Sequence, residues 1–122
     1  MPVQIIRLEQ NWCVLLTVGG GKRCLQGLAL RCGYRIGEMC GELGVSERYF
    51  YEVCRRDIGL APKDWLRRER MVVARRMITG GQPPWEVAGV LGFSSADNFG
   101  REFRVHHRVG PLDFQRRSLG RE

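Results

Sequence analysis

No run in the 122 residues is long and apolar enough to span a membrane, which excludes a transmembrane helix. A leader is missing too: the apolar run from Trp12 to Val18 is too short, starts too late and ends in Gly19-Gly20-Gly21. That absence implies a cytoplasmic chain. Paired cysteines are also lacking. Cys13, Cys24, Cys32, Cys40 and Cys54 are odd in number, and no two form a C-x-x-C pair. This excludes a disulfide scaffold and any familiar zinc framework, leaving the thiols a structural role. Histidine is limited to the neighbouring His106 and His107 with no acid close by, which gives no acid–base pair and makes both structural. Nothing in the sequence calls for a metal or cofactor.

Lysine is scarce as well. Of twenty basic residues only Lys22 and Lys63 are lysine, so arginine carries nearly all of the net charge of +7. A basic balance selects an anionic partner, and with no membrane segment nucleic acid comes first. Apolar residues make up 43% of the chain, enough for a core at the length of one domain.

The longest periodic stretch runs from Ala61 to Gly81. Pro62 suits a first helical turn, where its missing N–H would be unpaired anyway, and Gly80-Gly81 supplies a left-handed stop. Leu66, Val73 and Met77 share a stripe flanked by Trp65, Met71, Ala74 and Ile78, while Arg67, Arg68, Arg75 and Arg76 lie off it. The rod would be roughly 25 Å long.

Related sequences stand on either side. Glu38, Met39, Cys40, Leu43, Gly44, Val45 and Ser46 match Glu86, Val87, Ala88, Leu91, Gly92, Phe93 and Ser94, 48 residues later. One residue is added after the serine. Phe50, Cys54, Arg55, Pro62, Asp64, Trp65, Arg67 and Arg68 then match Phe99, Phe103, Arg104, Pro111, Asp113, Phe114, Arg116 and Arg117. Each copy reads as a short helix with a small residue (Cys40, Ala88), a glycine turn, an apolar residue, a serine N-cap and a second helix. That is a helix-turn-helix, whose second helix is shaped for a DNA major groove. The long helix is then a spacer between two such units.

Before the first copy, Val3–Gln10 and Trp12–Val18 are apolar enough for strands, and helix is expected from Lys22 to Cys32, with Leu25, Leu28, Ala29 and Cys32 inward and Gly33 ending it. Residues 1–21 read as an extension, 22–117 as the double unit and 118–122 as a basic tail. The expected architecture is all-α, about seven helices, with a short N-terminal part that could be β.

From Ile36 to Arg117 the chain resembles the DNA-binding domain of AraC/XylS-type transcriptional regulators. The resemblance lies in Leu43-Gly44-Val45-Ser46, Tyr49-Phe50, Gly59-Leu60-Ala61-Pro62, Trp65-Leu66, Arg70-Met71 and Ala74. It is most specific in Val87-Ala88, Leu91-Gly92-Phe93-Ser94, Phe99, Arg101, Phe103 and Pro111. It implies a non-enzymatic transcriptional regulator, an activator, that binds double-stranded promoter DNA as a monomer and contacts RNA polymerase. Its DNA-facing positions fall on Glu47, Arg48, Tyr51, Glu52 and Arg55 in the first unit. In the second they fall on Ser95, Ala96, Asp97, Gly100, Arg101 and Arg104. Arg48 and Arg101 are the strongest base readers, because a guanidinium bonds guanine at two points. Glu52, Ala96 and Gly100 depart from residues that read bases well. They leave open a module that has lost specific binding and acts through protein contacts or non-specific DNA binding. An enzyme of the DNA-repair methyltransferase type, which joins a cysteine–zinc module to such a domain, is the remaining rival, and the cysteine spacing disfavours it. Arg108 stands where the family has glycine, so either Arg108 adopts a strained left-handed backbone or Gly110 takes over the turn.

Overall fold

The computed structural model describes residues 3–8, 11–16 and 21–120. Three strands, β1 (Val3–Leu8), β2 (Asn11–Leu16) and β3 (Lys22–Cys24), form an antiparallel sheet in that order. Seven helices follow among the described residues: α1 (Leu25–Arg31), α2 (Ile36–Leu43), α3 (Glu47–Asp57), α4 (Pro62–Thr79), α5 (Pro84–Val90), α6 (Ala96–His107) and α7 (Pro111–Leu119). The strands and the helix count agree with the sequence reading. The helix expected from Lys22 does not start there. Lys22 to Cys24 instead pair with Leu15, Val14 and Cys13, completing the second edge of β2, and α1 begins only at Leu25. Thr17 to Gly20, in the expected strand end and glycine linker, and Arg121, in the expected tail, lie outside the described residues.

The chain divides into two compact units, Met1–Arg67 and Arg68–Glu122. In the first, period-two alternation sends Val3, Ile5 and Val14 into one core with Leu25, Leu28, Ala29, Met39, Leu43, Phe50, Val53 and Trp65. A sheet this small is marginal by itself. Here its free β1 edge is closed by side chains of α3. Val3 N donates to Tyr49 Oη at 3.3 Å, Ile5 N donates to Asp57 Oδ2 at 2.8 Å, and Arg56 Nη2 donates to Val3 O at 3.2 Å. Edge groups that would otherwise invite another strand are thereby satisfied. Arg56 also grips Asp57 through Nε and Nη2, at 2.8 and 2.9 Å, which holds the Asp57 carboxyl below its ordinary range. At the other end Glu42 pairs with Arg23 of β3 at 3.0 Å and Arg31 of α1 at 3.4 Å.

In the second unit Met71, Ala74, Ile78, Val87, Ala88, Leu91, Phe99 and Phe103 are buried. Phe103 meets Phe99, Phe114 and His107 with centroids 5.6, 5.5 and 4.5 Å away, in the tilted and edge-on arrangements aromatic rings favour. α4 contributes to both units. Trp65 and Leu66 are buried near its start, Met71, Ala74 and Ile78 beyond. Val73 and Met77, placed at the middle of the stripe by the sequence, are only half-buried, so the inward face is turned toward Ala74. Its end is the expected glycine stop: Gly81 has φ 93°, Gln82 N bonds Met77 O at 3.1 Å and Gly81 N bonds Ile78 O at 3.0 Å. Gln115 Nε2 adds bonds to Ile78 O at 3.1 Å and Gln82 O at 2.7 Å, covering carbonyls the helix leaves open. No helix among the described residues is long and apolar enough to cross a membrane.

Candidate nucleic-acid interface

The turn of each helix-turn-helix is made by the same backbone device. After α2, Gly44 takes φ 69°, Val45 N bonds Cys40 O at 3.1 Å and Gly44 N bonds Gly41 O at 3.3 Å. After α5, Gly92 takes φ 79°, Phe93 N bonds Ala88 O at 2.9 Å and Gly92 N bonds Gly89 O at 3.3 Å. Glycine is needed there because a Cβ at that conformation costs roughly 1–2 kcal/mol. In the second copy Arg70 pins the turn. Its Nε donates to Leu91 O at 3.0 Å, and its guanidinium lies 3.6 Å from the Phe93 ring centroid.

The helices that follow are both serine-capped. Ser46 Oγ accepts from Tyr49 N at 3.0 Å, as the repeat predicts. In the second copy the cap is Ser95, whose Oγ accepts from Asn98 N at 3.1 Å, and not Ser94, the residue matched to Ser46 at the first offset. The added residue therefore falls before the cap. Ser94 instead receives the Asn98 amide Nδ2–H. Ser95, placed among the DNA-facing residues, thus already has its oxygen engaged inside the chain as the cap of α6.

From the caps onward the two helices present one and the same stripe. Glu47, Arg48, Tyr51, Glu52 and Arg55 are exposed on α3, opposite buried Phe50, Val53 and Cys54. Ala96, Asp97, Gly100, Arg101 and Arg104 hold the corresponding positions on α6, opposite Phe99 and Phe103. All are exposed except Gly100, which is half-buried, with Pro111 Cδ 4.0 Å from where a Cβ would stand. The sequence reading placed these residues, and the two helices bring them together as two separate stripes of five.

The stripes differ in charge. On α3, Arg48 Nε approaches Glu52 Oε1 to 3.8 Å, but both are solvated and arginine precedes glutamate, the weaker helical order. On α6 the charges are exchanged, with Asp97 in the place of Arg48 and Arg101 in the place of Glu52. The side chains of Arg55, Arg101 and Arg104 have no ion-pair or hydrogen-bond partner among the described residues. Three guanidinium groups on the two stripes are therefore available to an outside anion. Gly110 leaves space for one of them, since a Cβ there would stand 3.3 Å from Arg104 Nη2.

Asn98 was not singled out from the sequence. It is exposed in the first turn of α6 beside Asp97, and an amide beside a capped helix start was the available signal. Arg56 shows the opposite case: its basic charge in a recognition helix is spent on Asp57 and β1.

Burial pushes the thiols of Cys54 and Cys40 up to about 12 and about 11, and raises that of Cys32. His107 is half-buried, with Nε2 3.2 Å from Met71 O, while His106 is exposed, so only one of the pair is a packing residue. Among the described residues no cluster of His, Cys, Asp or Glu could hold a metal ion. At the end of α6, Arg108 has φ 65° and Gly110 φ −67°: the arginine itself takes the left-handed turn, and Gly110 does not replace it.

Comparison with known proteins agrees with this geometry. A helix-turn-helix domain family model matches residues 39–117, well over half of the chain. A probable transcriptional regulator, LumQ of Photobacterium leiognathi, is 27% identical over 81 residues, 66% of this chain and 33% of that protein; the chain thus spans about a third of that relative's length. Among solved structures, the DNA-binding domain of the global transcriptional factor AdpA, in complex with a target DNA, superposes with a TM-score of 0.69 at 26% identity, over 79% of this chain and 90% of that one. An AraC-type regulator from Chromobacterium violaceum gives 0.66 at 18% identity over 79% and 89%, a likeness of fold. The chain belongs to the AraC-type family of helix-turn-helix DNA-binding transcriptional regulators.

Proposed function

We propose that this chain binds double-stranded DNA sequence-specifically as a monomer, laying α3 and α6 in two successive major-groove segments, and that it activates transcription by contacting RNA polymerase. The observation that carries the DNA reading is the pair of equivalent exposed stripes, each behind a glycine turn and a serine cap, with Arg55, Arg101 and Arg104 free of internal partners among the described residues. The AdpA complex with a target DNA supports double-stranded DNA as the ligand. In this reading Arg101 is a base reader, Arg55 and Arg104 hold phosphates, and Tyr51, half exposed, meets a phosphate or a thymine methyl. The activator role and the polymerase contact follow from the family resemblance, and a cytoplasmic location fits a regulator that acts on DNA.

Selection of bound sequences from a random duplex pool, followed by competition against bulk DNA at two salt concentrations, tests this directly. One sequence should out-compete bulk DNA at the higher salt, where the counterion-driven part of affinity has fallen. A chain that selects no sequence is a non-specific binder or a protein-contact module. On the selected site, Arg101→Ala should cost ~1–3 kcal/mol and relax preference at one position, while Arg104→Ala should weaken all sequences alike. An equal loss on every sequence for both variants would remove Arg101 from the readers.

A further inference from the structure

Cys24 differs from the other four cysteines: it is exposed, whereas Cys13, Cys32, Cys40 and Cys54 are buried. It also stands directly across from another cysteine, because β2 and β3 pair with Cys13 opposite Cys24. The kind of pairing follows from neighbouring hydrogen bonds. Trp12 N donates to Gln26 Oε1, on the β3–α1 side of β2. Ile5 N donates away from β2, to Asp57, so its opposite number Val14 also turns its backbone groups toward β3. By alternation Cys13 turns its own toward β1, and Cys13–Cys24 is a pair without mutual backbone bonds. Such pairs bring Cα atoms to ~4.5 Å and their side chains closest, within the Cα separations a disulfide spans. Both side chains then share the sheet face opposite Val3, Ile5 and Val14, and Cys13 is absent from that core cluster. A bond between them would form on the face away from that cluster.

We propose that Cys13 and Cys24 are a reversible dithiol–disulfide site, oxidised by a low-molecular-weight disulfide. The exposed Cys24 thiolate attacks one sulfur of the small disulfide, breaking its S–S bond, forming a mixed disulfide and releasing one thiol. Cys13 then gives up its proton and attacks the Cys24 sulfur, forming Sγ13–Sγ24 and releasing the second thiol. Two electrons pass to the oxidant, and both cysteine protons end on the released thiols or in water. Cys24 must first turn off the α1 cap, where its Sγ now lies 3.5 Å from Gly27 N. Such a bridge is transient where thiols are kept reduced, and reverses by the same exchange with a small thiol.

The test is peptide mass spectrometry of the native chain after incubation with oxidised glutathione, with folding followed by circular dichroism. The wild type should yield a peptide pair joined through Cys13 and Cys24, lighter by two hydrogens than the free thiols and lost on adding excess reduced glutathione, with Cys32, Cys40 and Cys54 unmodified. Cys13→Ser should stop at glutathione on Cys24, and Cys24→Ser should remain unmodified at Cys13. A wild type that keeps glutathione on Cys24 without bridging, bridges Cys24 to another cysteine, or stays fully reduced overturns the proposal.

Discussion

At the scale of single residues, Arg108 shows how a local rule can be broken without changing the fold. Its counterpart in the first unit is Gly59, at φ 90°, and Arg108 takes φ 65° in the same place. A residue with a Cβ is strained there, and its side chain is exposed and supplies no packing in return. Arg108→Gly is expected to raise stability by about 1 kcal/mol, the strain relieved less the greater freedom glycine has when unfolded, measured as a shift in urea midpoint. His107 offers a second residue-scale outcome. Burial is the largest cause of its lowered pKa; Arg75 and His106 lower it further, and Met71 O opposes them. The unfolded chain, with an ordinary imidazole value near 6.5, therefore binds a proton that the folded chain resists. Stability contributed by neutral His107 is complete above 6.5 and falls as pH drops from there toward the lower folded value. Urea midpoints at pH 7.5 and 5.5 should show this loss in the wild type and a smaller one in His107→Phe; equal losses would mean that another group titrates. The stability that Asp57 and Glu42 contribute is complete above the ordinary carboxyl range and is lost only as pH falls below it, because their arginine partners hold their carboxyls down.

At the scale of elements, the repeat carried most of the information. Gly44 and Gly92, Cys40 and Ala88, Phe50 and Phe99 could all be placed from the sequence, because each is demanded by a turn or a core that recurs. The second cap could not. Two adjacent serines, Ser94 and Ser95, satisfy the same capping rule, and the shift in offset could sit on either side of the cap; only the position of the Asn98 N–H decides. Ser46→Ala and Ser95→Ala should each cost ~1 kcal/mol of stability, and Ser94→Ala distinctly less, by chemical denaturation. A larger loss for Ser94→Ala than for Ser95→Ala would reverse the assignment. The strand β3 was hidden for a related reason. Lys22-Arg23-Cys24 has no alternation of its own, and it is a strand because β2 offers an open edge beside it. The contact residues form stripes that periodicity alone predicts, but partnering does not follow from periodicity. Arg55 and Arg56 are neighbours in sequence, yet only Arg56 is consumed by Asp57 and β1.

At the scale of the whole molecule, the continuous helix α4 is the link through which the function we propose would be tested. The sequence points to an insertion between Arg75 and Arg76 as the way to uncouple the two units. Burial of Ala74 and Ile78, with Gln115 bonded to Ile78 O, shows that this insertion would damage the second core. The better place is between Arg67 and Arg68, where the units meet in sequence and both residues are exposed. One alanine there advances the helix by ~1.5 Å and turns it by ~100°. Binding to a full selected site should fall to the level of a half-site, with the melting transition retained. Wild-type affinity on the full site would mean that a single unit reads DNA, a result consistent with the Arg48–Glu52 pair on one stripe and Ala96 and Gly100 on the other.

What the sequence determined by itself was the repeated plan: two glycine turns, two capped helices, one long helix and the stripes they expose. These follow from short-range rules of backbone conformation and helical period, which need no knowledge of what lies across the fold. Only the tertiary structure decided which polar side chains are already used. Tyr49, Arg56 and Asp57 close the β1 edge, Gln115 covers the end of α4, Arg70 pins the Leu91 turn, and Cys13 faces Cys24. Each of these depends on groups far apart in sequence meeting within hydrogen-bond or side-chain distance. That proximity is set by how the apolar faces pack, and no local pattern records it.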